Sequence, residues 1–167
     1  MEGRLAVTMI GDGVREGCLA CRANRGELVP PGGVIFEDAL WRLEHCLEPI
    51  PMVGWLILKP LRHVEAFADL TPDEAASFGP LLRRATQAMT EVLAPAKVYV
   101  CLYAEQKDAQ HVHVHLIPRY HDTPRERRGP HVFDYLRDAA VQGRNLADVE
   151  AARRAALSIR ERLGEHP

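Results

Sequence analysis

His111-Val112-His113-Val114-His115-Leu116-Ile117-Pro118-Arg119 alternates histidine with an apolar residue over its first six positions. Alternation of period two is the pattern of a β-strand with one face buried. The three imidazoles therefore leave one face, and Val112, Val114 and Leu116 the other. A single ring can find a backbone partner inside a core, but three on one face crowd donors and positive charge together. Such a face binds a metal, binds an anion, or carries proton and nucleophile chemistry.

Working outward, the chain reads as a series of short strands around one long helix. Val98 to Ala104 is a strand, and the Glu105 to Gln110 connection is short enough to join it to the histidine strand, Val112 to Ile117, as a hairpin. Trp55 to Leu58 is an apolar run between Gly54 and Lys59-Pro60, as in a buried strand. Val34 to Glu37 and Leu40 to Cys46 read as a hairpin turning at Asp38-Ala39. Val64 to Asp69 reads as a short helical turn. Thr71-Pro72-Asp73-Glu74 starts a helix: threonine caps, proline suits the first helical position, and Glu74 completes a capping box. An apolar stripe then runs from Phe78 to Leu93 at helical spacing. Val132 to Val141 and Leu146 to Leu163 are further helices, with Gly164 as the stop of the last. The order predicts an α+β fold: an antiparallel sheet of about five strands with helices packed on one face. Residues 1–17 read as a tail, 18–141 as the domain, and 142–167 as a C-terminal helix packed on it or extending from it.

The 167 residues suit one domain. Apolar residues make up 47 %, charged residues 26 %, and net charge is −2, which argues against nucleic acid and against an anionic membrane as partners. No apolar run reaches membrane-spanning length, and the N-terminus has no signal-peptide core, so a cytoplasmic location is expected. Cys46 and Cys101 fall in predicted strands, where free cysteine acts as a small hydrophobe. Cys18-Leu19-Ala20-Cys21 differs: such a pair can be metal ligands, a redox pair or two unrelated thiols. A redox pair favours a strand-to-helix setting, and Asn24-Arg25-Gly26 does not read as helix.

The stretch from His111 to Arg119 resembles the signature of the histidine triad superfamily. Gly54 to His63 is similar to the strand and turn before that family's long helix, and Cys18-Leu19-Ala20-Cys21 to the cysteine pair of its zinc-containing members, such as bacterial diadenosine polyphosphate hydrolases. The resemblance implies a nucleotide hydrolase that cleaves at the α-phosphate of a dinucleoside polyphosphate or a nucleoside phosphoramidate through a nucleotidyl-histidine. Alternatives are a nucleotidyltransferase or phosphorylase sharing that first step, and a zinc-stabilised nucleotide-binding or nucleic-acid-end-processing module. It implies His113 as nucleophile and His115 as the phosphate-contacting histidine, and a homodimer with one continuous sheet. It implies Cys18, Cys21, His63 and His111 as ligands of a structural zinc, closed because no ligand position is left open.

The sequence departs from that pattern in three places. The Gly-Gln pair that usually precedes the triad is missing, leaving Gln106, Lys107 or Gln110 as phosphate contacts. Trp55 stands where histidine is common, and reads as core or, less simply, as a base-stacking ring. The acid nearest the usual ribose-binding aspartate is Glu48. Arg125-Glu126-Arg127-Arg128 reads as a solvated loop or as an arginine source for a polyphosphate tail. Gly129-Pro130 with Val132 and Phe133 would fold the chain back over the core.

Overall fold

The computed structural model of the protein describes residues 9–10 and 14–164. Met9–Ile10 (β1) pairs with Val14–Arg15 (β2), and residues 1–8 and 11–13 of the expected tail lie outside the described residues. The elements that follow are α1 (Leu19–Asn24), β3 (Val34–Glu37), β4 (Trp41–His45), β5 (Leu56–Pro60), α2 (Pro72–Leu93), β6 (Lys97–Leu102), β7 (Val114–Arg119), α3 (Phe133–Gln142) and α4 (Val149–Gly164). β3 to β7 form a five-stranded antiparallel sheet in the order β3-β4-β5-β7-β6, the α+β architecture expected.

Alternation along the strands divides the sheet into two faces. Leu43, Leu56, Leu58, Val114 and Leu116 pack with Leu81, Ala85 and Met89 of α2 and with Ala156, Ile159 and Leu163 of α4. Each of these side chains is almost wholly buried; removing a leucine there would cost about 2–5 kcal/mol. The opposite face carries the histidines. One end of it is covered by Phe133, Tyr135 and Leu136, which pack on Trp55, Ile117 and Val132, so the short α3 lies on this second face. The expected fold-back after Gly129-Pro130 is thus present.

α2 begins as its sequence predicts. The Thr71 hydroxyl accepts from the Glu74 amide at 3.2 Å, Glu74 accepts from the Thr71 amide at 2.7 Å, and Pro72 opens the helix. Glu74 also receives Arg62 through two bonds of 2.7 Å, which ties the loop after β5 to the helix start. The helical turn expected within 64–69 is a 3-10 turn at Phe67–Asp69.

Most element ends shift by one or two residues from the sequence reading, β6 for example ending at Leu102 and not Ala104, and three differences have a visible cause or bear on the site. α4 begins at Val149, not Leu146, because the Asp148 carboxylate accepts from the Glu150 amide and starts the helix there. β7 begins at Val114, not Val112: β6 ends opposite it at Leu102, and the Val112 amide turns to Val64 O at 2.6 Å. Cys18 sits at the N-cap of α1, a helix where none was expected.

Candidate functional site

Side-chain alternation persists through His111 and His113 although the ladder has not yet begun. Val112 and Val114 are buried in the core, and the histidine rings lie on the other side. The three rings then part company.

His111 joins Cys18, Cys21 and His63. All four are buried, and their donor atoms lie within 4.8 Å of one another. His111 Nδ1 is 3.7 Å from Cys18 Sγ and 3.6 Å from Cys21 Sγ, and His63 Nδ1 is 3.4 Å from Cys21 Sγ. A tetrahedral metal with bonds of about 2.3 Å to sulfur and 2.0 Å to nitrogen separates those donors by about 3.5 Å, so the cluster has the dimensions to hold one. The far nitrogens are held too. His111 Nε2–H donates to Pro60 O at 3.0 Å and His63 Nε2 lies 3.3 Å from Glu65 Oε1, directing both Nδ1 atoms at the thiols. The hydrogen bond between the two thiols lowers Cys18 below an ordinary thiol and, with burial, raises Cys21 above it. Thiolate is the form that binds metal. The sequence reading set redox chemistry aside because no helix was expected here; the helix is present, and it delivers both thiols to two imidazoles.

α1 is fastened by its backbone as well. The Leu19 amide donates to Asp108 O at 2.8 Å, and Asn24 Nδ2 donates to Pro60 O and Leu61 O at 3.0 Å. This helix is one wall of a cavity of about 330 Å³. Leu19, Ala20 and Ala23 face Leu136 and Ala140 of α3 across it, and Glu44, Ile57, Lys59, His113 and His115 line the sheet side.

His113 and His115 meet edge to face, ring centroids 4.9 Å apart. Their tautomers are opposite. His113 Nδ1–H donates to His111 O at 2.6 Å, leaving Nε2 with a free lone pair. Trp55 Nε1–H donates to His115 Nδ1 at 3.0 Å; indole nitrogen can only donate, so His115 carries its proton on Nε2. Burial lowers both rings' affinity for a proton: His113 falls below the usual histidine value, and His115 falls to about 3, with His113 adding to the effect. Phe133 packs edge-on against both Trp55 and His115. Trp55 is fully buried, so it is core as the sequence suggested and no stacking platform. The hydrogen bond to His115 was not foreseen.

The remaining candidates sort by position. Gln106 lines the cavity, whereas Lys107 and Gln110 line a separate cleft with Arg15 and Cys18. Glu48 sits exposed at the cavity rim and accepts from Asn145 Nδ2 at 3.0 Å. Arg127 pairs with Asp138 at 2.7 Å, and Arg128 donates twice to Thr123 O, so these two arginines fasten their own loop. His45, overlooked in sequence, clasps the rim: Nδ1–H donates to Cys46 O and Nε2 accepts from the Gly54 amide, each at 3.0 Å. Gly54 has φ +78°, and a Cβ there would lie 2.4 Å from Leu93 Cδ1. Glu44 and Lys59, also overlooked, form a buried ion pair on the cavity floor.

Several solved structures share this fold. A zinc-bound histidine triad family protein from Mycobacterium smegmatis aligns with TM-score 0.63 and 17 % identity, over 89 % of this chain and 94 % of its own. A hypothetical histidine triad nucleotide-binding protein from Sulfolobus tokodaii aligns with TM-score 0.66 and 16 % identity, over 89 % and 93 %. Diadenosine triphosphate hydrolase from Plasmodium falciparum aligns with TM-score 0.56 and 15 % identity, over 80 % and 77 %. No curated protein matches significantly in sequence. The family model described as HIT domain matches residues 28–122, more than half of the chain and including the whole triad, and the chain therefore belongs to the HIT (histidine triad) family.

Proposed function

We propose that the protein is a nucleotidyl hydrolase acting at the α-phosphate of a dinucleoside polyphosphate or a nucleoside phosphoramidate. One observation carries this reading: two neighbouring histidines face one cavity with opposite tautomers, one free lone pair beside one free N–H. His113 Nε2 attacks the α-phosphorus, and the bond from phosphorus to the leaving oxygen or nitrogen breaks with its electron pair on the leaving group. His115 Nε2–H stabilises the developing charge on phosphate. Water then cleaves the phosphorus–nitrogen bond, releasing nucleoside monophosphate and regenerating His113.

In this reading Cys18, Cys21, His63 and His111 hold a structural zinc. Donor spacing and the fixed far nitrogens support it, as does the closed four-ligand set. The ion would contribute to folding free energy and fasten α1 as a cavity wall. The reading extends to a homodimer: β6 is an edge strand, and it exposes Val100 and Leu102, 45 % and 36 % accessible. The four cysteines are free thiols, consistent with a reducing, cytoplasmic setting. Among the described residues no helix is long and apolar enough to cross a membrane.

The test is turnover of diadenosine polyphosphate and adenosine phosphoramidate with and without inorganic phosphate, products resolved, with intact mass read after a basic quench. Nucleoside monophosphate as product and a covalent nucleotidyl mass shift are expected. Nucleoside diphosphate formed only with added phosphate would mean a phosphorylase. No turnover and no adduct with either substrate would overturn the reading.

A further inference from the structure

The cavity is lined mainly by apolar side chains, yet its floor holds an acid and a base. Glu44 and Lys59 are each 2 % exposed, and Lys59 Nζ donates to Glu44 Oε1. Removing two charges from water costs more than such a pair usually returns, so a buried pair is weak evidence of a stabilising role. The pair is also incomplete. Glu44 Oε2 is buried and has no hydrogen-bond partner: Arg42 Nη1 stands off at 4.0 Å and is itself bonded to Ala23 O, while Arg42 Nε is bonded to Glu37. Lys59 keeps two N–H groups to offer beyond its bond to Glu44. The other polar groups nearby are committed or peripheral: His45 is spent on Cys46 O and Gly54, Glu48 lies on the rim with Asn145, and Gln106 is an exposed loop residue of the lining.

Strand register fixes where the pair stands relative to the histidines. Glu44 pairs with Ile57, and Ile57 with His115, so the three form one row across the cavity face. Glu44 is thus two strand spacings, about 10 Å, from His115. That is about the reach of a nucleoside from its α-phosphorus to its base. Lys59 lies in the next row, one step beyond the Leu58–Val114 pair and hence beside His113. The apolar walls from α1 and α3 suit the flat faces of a ring, and few polar groups remain to read its edge.

We propose that Glu44 and Lys59 are specificity-determining residues that select guanine as the base of the transferred nucleotide. Guanine is the common base that offers two adjacent N–H donors beside a carbonyl. N1–H and the exocyclic amine meet the spare lone pairs of the carboxylate, and O6 accepts from Lys59. Both charges then gain the bonds they lack. Adenine presents a bare ring nitrogen beside its amine, which places an acceptor against the carboxylate. The inference rests on the reading of the cavity as a nucleotide site.

Equilibrium binding of GMP, IMP, AMP and UMP to the metal-loaded protein tests it. These monophosphates are reaction products, so turnover does not interfere. GMP should bind about 10- to 100-fold more tightly than AMP or UMP, with IMP, which lacks the exocyclic amine, in between. The charge-balanced double variant Glu44→Gln/Lys59→Met should level that series while keeping metal content and melting temperature near wild type. Equal affinities in wild type, a preference for AMP, or an unchanged series in the double variant would overturn the guanine assignment and leave the nucleotide site standing. Failure of all four to bind wild type would overturn both. The wild-type series decides even if the double variant does not fold.

Discussion

At one end of the His111–His115 stretch, a fully buried ring lies against two thiols and another imidazole. At the other end, two rings face a cavity of about 330 Å³. The residue type and the spacing are the same, so neither explains the difference. What differs is the partner of each ring's second nitrogen. Pro60 O holds His111 Nε2 and frees Nδ1 for the thiols; His111 O holds His113 Nδ1 and frees Nε2; Trp55 Nε1–H donates a hydrogen bond to His115 Nδ1 and leaves the ring its Nε2–H. A backbone carbonyl or an indole thus turns one repeated side chain into three chemical groups.

The largest effects should come from the two variants that set these ends against each other. His113→Ala is expected to lower turnover at least about 10³-fold while metal content and melting temperature stay near wild type, since its ring borders a cavity. His111→Ala is expected to lose the metal and several kcal/mol of stability, with activity falling because α1 and the strand loosen. Metal analysis, thermal melts and rates on the same preparations make the check. Equal loss of metal in both variants would mean that the two ends form one site.

A smaller effect should follow from the indole. His115→Ala is expected to reduce the rate by about 10²–10³, as for one donor to a developing oxyanion. Trp55→Phe keeps the ring packing against Phe133 but releases His115 Nδ1, so its proton is free to sit on either nitrogen. The expected result is a rate about 10-fold lower with KM little changed, and a His115 nitrogen NMR signature moving from one tautomer towards a mixture. An unchanged tautomer would show that Trp55 is packing alone.

The part of the site that was legible in the sequence is the part carried by local pattern. Alternation at His111 to His115 announced the strand and its two faces, and Thr71-Pro72-Asp73-Glu74 announced α2, because caps and period-two patterns depend on near neighbours. The cavity was not legible. Glu44 and Lys59 look like ordinary strand polar residues until register sets them beside each other. Trp55 and His115 are 60 positions apart, and their bond depends on β5 pairing with β7. α1 escaped notice because six residues are too few for periodicity to declare itself, and tertiary bonds from Leu19 and Asn24 hold it.

The smallest effect concerns acid, and it separates the two ends once more. Burial holds His115 at about 3, whereas an unfolded histidine titrates near about 6.5. Between those values the unfolded chain binds the proton and the folded chain does not, so stability falls as pH falls; above about 6.5 both are neutral and this contribution is flat. The slope is about 1.4 kcal/mol per pH unit for one such group. Buried carboxylates such as Glu74, held down by its bonds to Arg62 and Thr71 against the opposing cost of burial, also lose stability in acid, but below the histidine range. Denaturant titrations between pH 7 and 5 therefore isolate histidines. Metal release from the Cys18–His111 cluster would steepen the slope too, but equally in wild type and in His115→Gln, which keeps all four cluster residues. The difference between those two slopes belongs to His115 and its interaction with His113. Wild type should be the steeper by up to about 1.4 kcal/mol per unit. Identical slopes would mean that His115 takes up its proton in the folded protein, and that its Nε2–H is not a fixed neutral donor.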